Sequence, residues 1–276
     1  YEIMPSLVGS EMCIRDSPVI ACNRINDPLL AERILRRKRA DLVGIARGLI
    51  ADPEFVVKAA EGRFDEIRRC IACNQGCFDS VFMLRPVTCL VNPAAGREKE
   101  LELKPAEKPK NILIAGGGRA GMQAAIILKK RGHNVTIYEK TDKLGGQLIL
   151  AGVPKERREF RTFVEYLRRQ VELLGIKVVF NTEVTPELVE QVKPDVVIVA
   201  TGARPLRPNI PGINKKNVVY AHDVLAGKVD VGEKVVIVGG GGVGCETALY
   251  LTEEGVIDVD TMIFLLERGA ISCDRA

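Results

Sequence analysis

Four cysteines crowd into one short stretch, Cys70-Ile-Ala-Cys73-Asn-Gln-Gly-Cys77 followed by Cys89. Close spacing lets one loop wrap three thiolates around the corner of a cluster, and a later cysteine supplies the fourth ligand. Four thiolates are the donor set of a [4Fe–4S] centre. Structural zinc is the alternative, although it prefers paired knuckles of similar size. Unrelated buried thiols are the remaining reading. The chain holds eight cysteines, and no basic start followed by an apolar core marks a secretory signal. In that context such a cluster points to metal rather than disulfides, and to a reducing, cytoplasmic setting.

Glycine carries the second kind of chemistry. Gly116-Gly-Gly118-Arg-Ala-Gly121 directly follows the apolar run Asn111–Ala115. Helical text follows over Met122–Lys130, then a second apolar run, Asn134–Tyr138, closed by Glu139. This is the order of a dinucleotide fingerprint. Gly116 would make the tight turn, and Gly118 would let a pyrophosphate approach the backbone. Gly121 would let the helix pack on the strand, and Glu139 would accept hydrogen bonds from ribose hydroxyls. A glycine turn without a ligand is the plainer reading. Gly239-Gly-Gly241-Gly-Val-Gly244 repeats the pattern after Val235–Val238. Its acidic partner is not evident: Asp258, Asp260 and Glu267 are near, but no strand ends cleanly at any of them. The choice between NAD and NADP therefore stays open. Two such motifs suggest electrons passing between two dinucleotide cofactors.

The elements that position these groups follow from periodicity. Pro18–Cys22 and Asp41–Ile45 read as short buried strands. Pro28–Arg39 has helical spacing, with Leu29, Leu30, Ile34 and Leu35 on one side. Ala46–Pro53 reads as a loop, and Pro53 suits the first position of a helix running to Ala60. This βαβα order is that of a parallel α/β fold. Arg97–Lys110 is charged, carries two prolines and reads as a linker. The units opening at Asn111 and Val235 form a candidate internal repeat. Hydrophobic content of 46% and charged content of 28% fit a globular chain. The net charge of +4 is not gathered in one block, which argues against nucleic acid as a partner. No apolar run is long enough for a membrane span.

At this point the chain resembles the NADH:flavin oxidoreductases of the 2,4-dienoyl-CoA reductase type. The matching text is Asn23-Arg-Ile-Asn-Asp-Pro28, Ala46-Arg47 before Ala51-Asp-Pro53, the cysteine motif, and Cys89-Leu-Val-Asn-Pro93. It continues in Lys143-Leu-Gly-Gly-Gln147, Ala200-Thr-Gly-Ala203 and Gly244-Cys-Glu-Thr247. The resemblance implies the last βα units of a (β/α)8 barrel over 18–69 (strands 7 and 8) and a [4Fe–4S] segment over 70–97. It further implies a linker over 98–110, a Rossmann-like FAD domain over 111–230 and the start of an NAD(P)H domain over 231–276. Electrons would pass from NAD(P)H to FAD, singly through the cluster to FMN, and on to an activated C=C bond. The substrate class implied is a small enoyl-type molecule, such as a CoA thioester; relatives also handle other enoates and amines. The metal ligands would be Cys70, Cys73, Cys77 and Cys89. Gly116, Gly118, Gly121, Glu139, Lys140, Gly146, Gln147 and Gly202 fall on FAD positions, and Gly239, Gly241 and Gly244 on NAD(P)H positions. Barrels commonly bind a cofactor phosphate on the loops after strands 7 and 8, which places Asn23, Arg24, Ala46 and Arg47 at an FMN site. Arg24 and Arg47 are suitable phosphate partners; solvated surface arginines are the alternative.

The ends of the chain carry their own expectations. Leu7–Asp16 back-translates into a transposon-end adapter of sequencing libraries. Leu7–Ser17 is thus expected to be translated adapter, with Tyr1–Ser6 equally suspect and a natural tail as the alternative. The second nucleotide unit also looks cut short. Such a fragment is expected to bind FAD weakly at best and to reduce no enoyl substrate, since the proton donor would lie upstream. His133 and His222, the only histidines, read as surface or capping residues. Cys245 reads as a small buried helix residue, not half of the dithiol a disulfide reductase needs. An electron-input subunit like the small subunit of glutamate synthase, an amine dehydrogenase of the same family and a non-enzymatic binding module are the rival readings. Oligomeric state stays open.

Overall fold

The computed structural model describes residues 18–253, and the expectations for residues 1–17 and for Asp258, Asp260 and Glu267 lie outside them. The chain divides into two compact units. The first runs to Gly146 and resumes over Glu159–Thr201; the second comprises Gln147–Arg158 and the residues from Gly202 onward.

The first unit begins with two short parallel strands, β1 (Ile20–Ala21) and β2 (Leu42–Val43), joined by helix α1 (Pro28–Arg36). Asp27 caps α1 by accepting from the Leu29 amide at 3.0 Å, and Pro28 occupies the first turn, where no amide is needed. The helix stops at Arg36, short of the expected Arg39, because Lys38 turns left-handed at φ 51°. Ile20 and Leu42 are more than half exposed, so these strands are not the buried pair that the apolar text implied. A two-stranded sheet crossed by one helix covers only one of its faces.

Two further helices, α2 (Arg47–Ala51) and α3 (Phe55–Ala60), follow. The expected loop over Ala46–Pro53 is therefore partly helical, and Pro53 stands in the turn ahead of α3 rather than at its first position. Asp52 makes that turn. Its carboxylate is 2% exposed, accepts from the Glu54 amide at 3.1 Å and binds Lys58 Nζ at 2.7 Å. The cysteine segment contains only the short α4 (Phe78–Phe82), and residues 97–110 form neither helix nor strand.

The core of this unit is a four-stranded parallel sheet in the order β5-β4-β3-β6. Its strands are β3 (Asn111–Ala115), β4 (Asn134–Tyr138), β5 (Lys177–Val179) and β6 (Val196–Val199). Four of the five β3 residues are buried, as expected of a central parallel strand covered on both faces. Helix α5 (Arg119–Lys130) returns the chain from β3 to β4 and buries Met122, Ala125 and Ile126. The amphipathic α7 (Glu159–Leu173) packs on α5 through Phe163, Leu167 and Val171. α8 (Pro186–Val192), capped by Thr185, leads into β6. The strands β3 and β4 keep the bounds that the sequence implies.

The second unit holds α6 (Gln147–Ala151), α9 (Ala221–Leu225) and α10 (Gly242–Glu253), with α9 and α10 in contact. Val235–Val238, expected as a strand, forms none, and Val236 and Val238 are largely exposed. No strand of this unit among the described residues pairs with it, and an apolar run without a ladder partner stays irregular. No helix among the described residues is long and apolar enough to cross a membrane.

Ile114 is fully buried at the centre of β3. Ile114→Ala is expected to destabilise the first unit by about 2–5 kcal/mol, read as a lowered urea midpoint with an unchanged slope.

Candidate functional site

The first glycine turn joins β3 to α5. Gly116 turns at φ 107°, a region that side chains disfavour. A Cβ on Gly121 would stand 1.9 Å from the Gly116 carbonyl oxygen, so only glycine lets α5 start this close to the strand. A Cβ on Gly118 would meet nothing within 4 Å. That open space lies at the start of α5, whose first turn has no side-chain cap. Unpaired amides at a helix start favour an anion. Glu139 directly follows β4 and is 7% exposed. It accepts from the Gly117 amide at 2.6 Å and from the Thr141 amide and hydroxyl, both at 2.9 Å. Gly145 and Gly146 run alongside, the Gly145 amide donating to Gly117 at 2.9 Å. Lys140 is exposed. Gln147 and Gly202 belong to the second unit, where the Gln147 side-chain amide donates to the Ala203 carbonyl.

The second glycine turn repeats the first within its own unit. Gly239 turns at φ 118°, and a Cβ on Gly244 would stand 2.0 Å from the Gly239 carbonyl oxygen. Gly241, like Gly118, has open space around it. The Cys245 amide donates to Gly241 at 3.0 Å, as the Met122 amide does to Gly118 at 2.9 Å. No counterpart of Glu139 stands among the described residues of this turn. Cys245 is exposed, not buried, because its position on α10 faces away from the packed side that carries Thr247.

The four motif cysteines are unbridged and half-buried. Left-handed backbone at Ala72 (φ 53°) and Asn74 (φ 60°) coils the chain between them. Thr88 closes the loop by donating its amide to the Gly76 carbonyl at 2.6 Å, which brings Cys89 back toward Cys77. Burial pushes the Cys70 and Cys73 thiols up; the Ala72 amide and the Arg47 charge pull Cys70 the other way. Cys77 and Cys89 reinforce the rise at both, so all four lie within electrostatic reach. Among the described residues, however, no three His, Cys, Asp or Glu side chains are drawn close enough for one metal ion. Thiolates sharing one zinc lie about 2.3 Å from it and hence about 4 Å apart.

Beside the loop lies a cavity of about 310 Å³, lined by Asn23, Arg24, Ala46, Arg47, Cys70 and Ala72 among others. The structure thus brings together the four residues read as phosphate-binding and adds one motif cysteine. Arg47 donates to Asn23 Oδ1 at 2.9 Å and also to Asn74 Oδ1 in the cysteine loop. Arg24 pairs with Glu159 of α7. Asn74, Glu159, Asp52 and Arg68 are neighbours of these groups to which the sequence reading gave no role. Only Asn74 carried a signal, as a residue tolerant of left-handed backbone inside the motif. Of the histidines, His133 is buried, not on the surface, because its Nδ1 accepts the Lys110 amide at 3.2 Å where β3 begins. His222 sits in the last turn of α9.

The two glycines of the first turn separate packing from ligand space. Gly121→Ala is expected to cost about 1–3 kcal/mol in denaturant unfolding, and Gly118→Ala to stay within about 0.5 kcal/mol of the parent.

Comparison with known proteins agrees with this anatomy. Residues 110–273 match the family model for pyridine nucleotide-disulphide oxidoreductases. Residues 11–66 match that for the NADH:flavin oxidoreductase / NADH oxidase family, a match that begins inside the adapter-like stretch. A metal reductase of Desulforamulus reducens is 50% identical over 245 residues, covering 87% of this chain and 37% of that protein. A cinnamate reductase of Clostridium sporogenes is 41% identical over 240 residues, 87% of this chain and 36% of that one. The solved structure of a 2-naphthoyl-CoA reductase with 2-naphthoyl-CoA superposes with a TM-score of 0.85 at 37% identity, covering 94% of this chain and 41% of that one. The chain thus spans a little over a third of the length of these curated relatives. It belongs to the pyridine nucleotide-disulphide oxidoreductase family, among the flavin- and nicotinamide-using NADH:flavin oxidoreductases of the 2,4-dienoyl-CoA reductase type.

Proposed function

We propose that this chain is the electron-input part of an NAD(P)H-dependent flavin oxidoreductase that reduces an activated C=C bond. The substrate class is a conjugated enoate or its CoA thioester, in keeping with the named substrates of the cinnamate and 2-naphthoyl-CoA reductases. The observation that carries the reading is the cavity shared by Asn23, Arg24, Ala46, Arg47 and Cys70. A flavin-phosphate site and a cysteine loop adjoin there.

When bound, the nicotinamide supplies a hydride to FAD, and the cluster and FMN carry single electrons onward to the substrate side. The chain's own residues hold these groups. Arg47 uses some of its five N–H donors on Asn23 and Asn74 and keeps others for the FMN phosphate. Asn23 and Ala46 shape the mouth of that cavity, and Arg24 is steadied by Glu159. Gly116, Gly118 and Gly121 leave the start of α5 open, where the FAD pyrophosphate would bind, and Glu139 would accept hydrogen bonds from its ribose hydroxyls. Lys140, Gly146, Gln147 and Gly202 complete the FAD set. Gly239, Gly241 and Gly244 offer the same opening to NAD(P)H. Cys70, Cys73, Cys77 and Cys89 are the ligands of one [4Fe–4S] centre. What favours it over zinc is the spacing, three cysteines in one short loop and a fourth further on, rather than two paired knuckles of similar size.

Anaerobic reconstitution with iron and sulfide tests the metal assignment. Uptake of about four irons and four sulfides per chain is expected, with Cys77→Ser lowering both. One zinc per chain with no sulfide would overturn it. Gly118→Ala tests the dinucleotide assignment: FAD affinity should fall about tenfold or more while unfolding is unchanged. Equal affinity in parent and variant would remove Gly118 from the site.

A further inference from the structure

Cys70 and Cys89 stand near the two ends of one loop, and those ends must be held together if four thiolates are to meet one core. One residue touches everything at that neck. The Arg68 amide, two residues ahead of Cys70, donates to Asp52 Oδ2 at 2.8 Å. Asp52 is itself fixed, being 2% exposed and bound to Lys58 Nζ at 2.7 Å. The Arg68 guanidinium then crosses to the far end of the loop. Its Nη1 donates to the Val91 carbonyl at 3.2 Å and to Asn92 Oδ1 at 3.0 Å. Val91 and Asn92 are buried, and Asn92 donates in turn to the Ile50 carbonyl of α2 at 2.9 Å. Arg68 Nε reaches Tyr166 Oη on α7 at 3.2 Å, and its Cζ lies 5.3 Å from the centre of that ring.

We propose that Arg68 is the positioning residue of the cysteine loop. It clamps the segments entering at Cys70 and leaving after Cys89 to each other and to α7, so that the four thiolates stay within reach of one cluster. The inference rests on the reading of the four cysteines as one [4Fe–4S] site. None of the side-chain partners of Arg68 is a carboxylate, so its role is geometric rather than that of an ion pair. A planar fork with five donors can satisfy three acceptors on two chain segments at once; an ammonium cannot match that geometry. Joining the ends also limits the conformations open to the intervening loop.

The test uses the reconstituted chain and four variants: Arg68→Ala, Arg68→Lys, Tyr166→Phe and Arg69→Ala. Arg69 is the control, a neighbouring cation that pairs with Asp27 at 3.1 Å. Iron release to a chelator should be about tenfold faster in Arg68→Ala, since bonds from a charged donor are lost. Arg68→Lys should fall between, Tyr166→Phe should shift it less, and Arg69→Ala should match the parent. The visible and electron-spin signals of the cluster should change only in the Arg68 variants. Hydrogen exchange across 70–89 should quicken in step. Iron release at the parent rate in Arg68→Ala, or equal loss in Arg69→Ala, would overturn the clamp. If Arg68→Ala does not fold, Arg68→Lys decides the matter by the same readings. If the parent assembles no cluster, the cysteine assignment fails. The clamp then stands or falls on whether exchange across 70–89 is faster in Arg68→Ala than in Arg69→Ala.

Discussion

A carbonyl oxygen dictates both nucleotide turns. The Gly116 oxygen sits where a Cβ on Gly121 would be, and the Gly239 oxygen where one on Gly244 would be. That near contact seats the first turn of α5 against the end of β3. The Gly117 amide then faces Glu139, and the space over Gly118 stays clear. Displacing the helix by the thickness of one methyl group would separate the carboxylate from the turn and fill the space an anion needs. Strand length, helix amphipathy and the burial of Met122 and Ile126 all support that one close approach.

The first unit gathers more than a nucleotide turn. The cysteine segment reaches the cavity beside β1 and β2 through Cys70 and Ala72, and the residues leading into it reach α7 through the contact between Arg68 and Tyr166. Asp65 and Arg169 add a second tie to α7 at 2.7 Å. A carrier of single electrons, as proposed for the cysteine loop, would need surroundings that are fixed. Here the fixing is done largely by polar groups: Asp52, Lys58 and Asn92 are all buried and bonded. Each would be costly to bury alone.

Local signals explain what the sequence made legible. β3 and β4 were readable to the residue because a buried central strand is continuous apolar text bounded by a linker, a glycine turn and an acidic stop. The cysteine cluster stood out because its spacing is local, and its ligation is a proposal. The same logic misled at Ile20, Leu42 and Val235–Val238, where apolar text is present but covering neighbours are not among the described residues. Burial is a property of partners, and a pattern cannot supply them. Arg68 was invisible for the opposite reason. Its side-chain partners are distant in sequence, Tyr166 above all, so a common charged residue gave no sign of its contacts. Asn74 was half visible: its type suits left-handed backbone, but its bond to Arg47 belongs to the fold.

The thiols themselves argue for an occupant of the loop. Burial opposes charge on Cys70 and Cys73, and each neighbouring cysteine opposes it further. Left to themselves, such groups are neutral thiols, weak hydrogen-bonding partners with little reason to converge. Yet the Ala72 amide points at the Cys70 sulfur at 3.4 Å, and the Arg47 charge favours the thiolate there. The Ala72 amide donor and the nearby Arg47 charge both favour an anion at that sulfur. Four anions in one half-buried loop repel unless a cationic core lies among them, and that core must displace the protons that burial retains. The clustering, the half-burial and the Ala72 amide are the features that the proposed thiolate ligation would use.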